Sequence, residues 1–145
     1  MIPQLENLAP EERQLIFKAP ALISVLACCS ENGINSTQKK DAIHLAHLKT
    51  FTAAPELIPY YRKVEKSFIQ NFEAAEKRYQ PFDREKRAEL LNEIERANQT
   101  VKKLDERYAN LLLKSFYKYA NHVKHSTHSV FQDFLIPLHI PGLNG

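Results

Sequence analysis

The sequence predicts an all-α protein, a single compact bundle of six to seven helices. Apolar residues recur at steps of three and four over most of the chain, most clearly between residues 61 and 79. No stretch alternates convincingly at period two, and clusters of β-branched residues are absent. Helix-breaking residues fall between the periodic runs and leave short connections, which favours antiparallel neighbours.

Pro10 suits the first turn of a helix, where its missing N–H costs nothing, and Glu11 and Glu12 suit the positive end. Leu15 and Ile16 supply the apolar face. Pro20 is expected to end this helix and begin the next. Residues 21–29 are apolar almost throughout, so this second helix is expected at the centre of the bundle. Asn32-Gly33 is expected to end it, with Gly33 as the left-handed cap.

Ser36 or Thr37 can cap a third helix with Ala42, Ile43, Ala46 and Phe51 facing inward. Thr52-Ala53-Ala54-Pro55 breaks it. In the fourth, Tyr61, Val64, Phe68, Phe72, Ala75 and Tyr79 face inward, and Arg62, Lys66, Gln70, Glu73 and Lys77 outward. Pro81 stops it and Asp83 caps a fifth through Leu90, Leu91, Ile94 and Ala97, with a kink or restart expected at Asn98-Gln99-Thr100. Asp105 caps a last long helix through Tyr108, Leu111, Leu112, Phe116, Tyr119 and Val123. Val130, Phe131, Phe134 and Leu135 add one or two turns before Pro137, Pro141 and Gly142 impose an irregular end.

The 145 residues suit one domain spanning 1–145, with residues 129–145 a short apolar tail. Hydrophobic residues at 43% and charged residues at 26% are a globular mixture, too apolar for disorder. The net charge of +3 is carried by the last third. There Lys102, Lys103, Arg107, Lys114, Lys118 and Lys124 outnumber Asp105, Glu106 and Asp133. Residues 1–10 lack the basic-then-apolar order of a signal peptide, and the apolar run at 19–29 is about half a membrane span. Adjacent Cys28 and Cys29 read as small buried groups in a reducing compartment, so a cytoplasmic location is expected.

Three pieces resemble the TerB-like helical family, named for a tellurite-resistance protein and also found in a DnaJ-like co-chaperone. The first is Phe17-Lys18-Ala19-Pro20-Ala21-Leu22-Ile23 leading to Val25-Leu26-Ala27. The second is Asn32-Gly33 turning into a helix, then Thr50-Phe51-Thr52 and Tyr60-Tyr61 with Val64 and Phe68. The third is Lys103-Leu104-Asp105 followed by Leu111-Leu112, Phe116 and Ala120-Asn121-His122-Val123. The resemblance covers about residues 8–125 and implies the fold. The family's Asp-Gly turn, with a Glu about six residues on, is associated with proposed metal binding. Here those positions hold Asn32 and Lys39, which cannot make the oxygen-rich site a hard cation needs. The glycine-rich stretch common after the family's last long helix is replaced by Ser126-Thr127-His128-Ser129-Val130.

Three glycines (Gly33, Gly142, Gly145) leave no room for a P-loop, a dinucleotide fingerprint or a nucleophile elbow. His44 with His47, and His122 with His125 and His128, are spaced at three residues, so either group could offer imidazoles to zinc or nickel. The ordinary reading is surface histidines, and no metal, cofactor or catalytic residue is assigned. Cys28 or Cys29 with a histidine is the one nucleophile–base pair worth stating, in surroundings too apolar for a reactive thiolate. The carboxylate pairs Glu93 with Glu95 and Glu11 with Glu12 read as surface groups.

Lys103, Arg107, Lys114, Lys118, His122 and His125 form a basic stripe on one side of the last long helix. It is either a solvated face or a surface for an anionic partner. Nucleic acid is not expected, because no recognition motif accompanies it. The tail residues Phe131, Phe134, Leu135, Ile136, Leu138, Ile140 and Leu143 either fold back on the bundle or make a homodimer or partner contact. The expectation is a non-catalytic cytoplasmic protein-interaction module. The alternative is a metal-binding stress-response protein using histidines for the family's acidic ligands.

Overall fold

The computed structural model describes residues 2–30 and 32–124. Five α-helices carry the fold: α1 (Pro10–Cys28), α2 (Ser36–Thr52), α3 (Ile58–Tyr79), α4 (Arg84–Val101) and α5 (Glu106–Lys124). The remaining elements are 3-10 turns at Pro3–Leu5 and Pro55–Leu57 and the two-residue strands β1 (Cys29–Ser30) and β2 (Gly33–Ile34). The protein is all-α, and α1 is its axis. It contacts each of the other four helices, which adjoin one another in the order α2, α3, α4, α5 and back to α2. Every residue from Ala19 to Cys28 is buried, as a helix surrounded on all sides requires.

The break expected at Pro20 does not occur, since α1 runs through it. A proline there removes the N–H that would bond the Ile16 carbonyl. The buried Tyr60 hydroxyl donates to that carbonyl at 2.7 Å, so the freed acceptor is satisfied from α3. Ser24 Oγ donates in turn to the Pro20 carbonyl at 2.7 Å. The expected count of six to seven helices included this break and turns in residues 129–145, which lie outside the described residues.

Gly33 has the positive φ expected of it (+101°), but it opens β2, paired with Ser30, rather than capping the helix. Extended Cys29 ends α1, and the Asn35 N–H bonds the Cys28 carbonyl at 2.8 Å. The β1–β2 pair is antiparallel and too short to leave an alternating signature. Asn35, not Ser36 or Thr37, caps α2, accepting from the Gln38 N–H at 2.9 Å. Ala42 and Ala46 face inward with Leu45, whereas Phe51 is 60% exposed.

The inner face of α3 is the one expected, and Tyr61, Val64, Phe68, Phe72, Ala75 and Tyr79 are all buried. Ion pairs of Lys39 with Glu73 and Glu76, and the hydrogen-bonded contact of His47 with Glu65, join α2 to α3 in antiparallel order. Asp83 caps α4 at 2.8 Å from the Lys86 N–H, and Asp105 caps α5 at 3.2 Å from the Tyr108 N–H. Of the kink or restart expected at Asn98-Gln99-Thr100, the restart does not occur: α4 continues to Val101, with Asn98 and Thr100 buried against the bundle. Among the described residues no helix is long and apolar enough to cross a membrane.

Candidate functional site

The C-terminal turn of α2 and the middle of α5 face each other across an open cleft of about 200 Å³. Lys49, Thr52, Ala53, Ala54 and Leu57 line one side, and Leu111, Lys114, Ser115 and Lys118 the other. Steps of three and four along α5 put those four side chains on one row. The core side of α5 fixes that row: Leu112, Phe116 and Tyr119 are buried, and the Tyr119 hydroxyl donates to the Ala42 carbonyl of α2 at 2.7 Å. A shallower hollow of about 550 Å³, reaching Asp105 and Asn110, shares Leu111 and Lys114 with the cleft.

Three lysines line this cleft, and none has a carboxylate partner among the described residues. Lys49 is half-buried, with its Nζ 6.0 Å from the centre of the Tyr61 ring. Burial, and then the neighbouring Lys118, hold its ammonium below the ordinary lysine range. At the cleft floor Ser115 is only 7% exposed, and its Oγ lies 2.5 Å from the hydroxyl of fully buried Tyr61. Such an arrangement favours an anion: each charge it brings lowers the repulsion among the lysines and repays the desolvation of Lys49.

The expected basic stripe is therefore divided. Lys103 lies in the turn before α5 and pairs with Glu12. The Arg107 guanidinium engages both oxygens of Glu56, with its Nη2 at 2.8 Å. Lys114 and Lys118 remain on the cleft. His122 is exposed on α5, and His125 lies outside the described residues. Lys49 belongs to none of the expected sequence patterns, and only folding brings it beside Lys118.

Glu93 departs from expectation. It is 4% exposed and ties three helices together. Lys18 of α1 reaches its Oε2 at 3.1 Å, and the Tyr79 hydroxyl at the end of α3 donates to its Oε1. Burial pushes the Glu93 carboxyl up, but the Tyr79 hydrogen bond and the Lys18 ammonium outweigh it and hold the carboxyl below its usual range. Burial and the Glu93 hydrogen bond push the Tyr79 hydroxyl up to about 12. With both oxygens occupied, the carboxylate is arranged as a strut. Its companion Glu95 is exposed, as is Glu11, while Glu12 is half-buried under Lys103.

His44 and His47 are exposed on α2, and His47 Nδ1 meets Glu65 Oε2 at 2.5 Å. His128 lies outside the described residues. Among those described, no group of three or more His, Cys, Asp and Glu gathers where it could hold a metal. Cys28 and Cys29 are free and buried. Burial, with Cys29 alongside, pushes the Cys28 thiol up to about 12, and burial raises Cys29 as well. Both are thus protonated at neutral pH, and a reactive thiolate is not available there. No protein family, curated protein or solved structure matches the chain.

Proposed function

We propose that this chain is a non-catalytic interaction module, TerB-like in arrangement and cytoplasmic, whose α2–α5 cleft receives an acidic segment of a protein partner. The observation that carries the reading is the convergence of Lys49, Lys114 and Lys118 from two helices with no carboxylate answering them among the described residues. Elsewhere Lys39 is matched by Glu73 and Glu76, Lys86 by Glu89 and Lys103 by Glu12, while Lys40, Lys66, Lys77 and Lys102 are exposed without an ion pair among the described residues, so the cleft is distinguished by its lysines gathering from two helices. Clustered like charge strains the folded chain, and an acidic partner relieves it. The two free buried thiols suit a reducing compartment. The TerB-like arrangement rests on the three resembling sequence pieces, and within them Pro20 and Tyr60 meet through the Ile16 carbonyl.

The test is fluorescence anisotropy with a labelled oligoglutamate peptide. Binding should weaken steeply as salt is raised, because exposed charges are screened beyond a Debye length of about 8 Å at physiological ionic strength. A Lys49→Gln, Lys118→Gln double variant with unchanged helical circular dichroism should lose it. No binding, or equal binding by that variant, would reject the cleft as the docking surface.

A further inference from the structure

The cleft's donors are selective among anions. We propose that it seats a single phosphoryl group, so that the partner segment docked there is a phosphorylated one. This rests on the reading of the cleft as a docking surface and specifies what it recognises.

Charge is the first ground. Three lysines line one small space, and a glutamate side chain brings only one charge to answer them. A phosphorylated side chain brings about −1.5 to −2 charges at neutral pH and three acceptor oxygens. Donor geometry is the second. No arginine lines this cleft, so an anion there meets point charges rather than the guanidinium fork that reads carboxylate and phosphate alike. The nearby Arg107 is already engaged by Glu56. Lysines act as point charges on flexible stems, and here they approach from two helices, which suits a tetrahedral group.

Ser115 is the third ground. Its hydroxyl is more than nine-tenths buried, lines the cleft, and shares one hydrogen bond with Tyr61. When Tyr61 donates, the Ser115 proton is free to point at a phosphoryl oxygen. Lys49 reinforces the point, since its ammonium is held half-buried beside Lys118 and gains most from a doubly charged neighbour. Size is the fourth. At about 200 Å³ the space is below the roughly 300 Å³ at which small-molecule pockets begin, so it fits one group rather than a whole metabolite.

The experiment is calorimetric titration of the full chain with two peptides identical except for phosphoserine or glutamate at one central position, flanked by Gly and Ala. Inorganic phosphate is titrated alongside. The phosphopeptide should bind at least about tenfold more tightly than the glutamate peptide. That preference should grow as the pH rises through about 6, where the dianion forms. Lys49→Gln should reduce the preference, as should Ser115→Ala, with Lys114→Gln as the surface variant whose fold is not at risk. Equal affinity for the two peptides would overturn the phosphoryl assignment and leave the acidic docking surface standing. Binding of neither would overturn both. Phosphopeptide binding untouched by all three substitutions would place the site elsewhere. Inorganic phosphate binding as tightly as the phosphopeptide would remove a protein as the source of the group.

Discussion

A proline inside a helix costs about 3 kcal/mol or more, in part because the carbonyl four residues back loses its donor. In α1 that carbonyl belongs to Ile16, and Tyr60 supplies the missing donor. Tyr60 is fully buried, and burial holds its hydroxyl pKa well above the ordinary tyrosine value, so it stays a donor. Tyr60→Phe should therefore cost about 1–3 kcal/mol in urea denaturation, the penalty for an orphaned buried acceptor. In a Pro20→Ala background the restored amide can reach Ile16 itself, and the same substitution should cost about 1 kcal/mol less. Equal costs in the two backgrounds would mean that the hydroxyl does not compensate the proline. Other single residues act through local geometry. Gly33 tolerates φ of +101°, and nothing lies within 4 Å of where its Cβ would stand, so only backbone conformation asks for glycine there.

At the scale of elements, Lys18, Glu93 and Tyr79 join α1, α4 and α3. The Glu93 carboxyl is lowered in the folded state, so its stabilisation is complete above its unfolded pKa. It is lost as the pH falls through the lower, folded value. Lys18→Met removes the cation and leaves a desolvated carboxylate with Tyr79 alone, which should cost about 1–3 kcal/mol near neutrality, the buried-pair penalty being reduced because Lys18 is 36% exposed. The carboxyl of that variant should rise, so the gap between it and the parent should shrink as the solution is acidified below the ordinary glutamate value of 4.5. Denaturation midpoints of both proteins between neutral and acid pH measure this, and a gap independent of pH would show that the pairing contributes nothing.

For the whole molecule, the dominant titratable feature is the set of buried tyrosines. Burial raises the hydroxyls of Tyr60, Tyr61, Tyr79, Tyr108 and Tyr119, to about 12 for Tyr79 and Tyr108. Folded values above the unfolded value of about 10 leave stability intact below that pH and erode it above. Each blocked ionisation contributes about 1.4 kcal/mol per pH unit, so several acting together should unfold the bundle within a narrow alkaline range. Phenolate absorbance should rise in one cooperative step that coincides with loss of helical circular dichroism. Gradual ionisation with the helices intact would show that the hydroxyls are accessible and the core looser than described.

The fold class, the central apolar helix, the inward face of α3 and the caps Asp83 and Asp105 were legible in the sequence. Each follows from neighbours within one or two turns: a 3.6-residue period, or a carboxylate three residues before an N–H. What escaped depends on residues far apart in the chain. Pro20 reads as a break until Tyr60 arrives from α3, forty-four positions beyond the Ile16 carbonyl it bonds. Glu93 reads as surface beside Glu95 until Lys18, seventy-five positions away, is placed against it. Lys114 and Lys118 were visible as members of the basic stripe, but Glu12 and Glu56 neutralise its Lys103 and Arg107 from elsewhere, and Lys49 joins from α2. Periodicity thus determined which face of each helix turns inward, because burial repeats with the helix itself. Only the tertiary structure decided which charges cancel and which remain, because electrostatic pairing depends on distance in space and leaves no period in the chain.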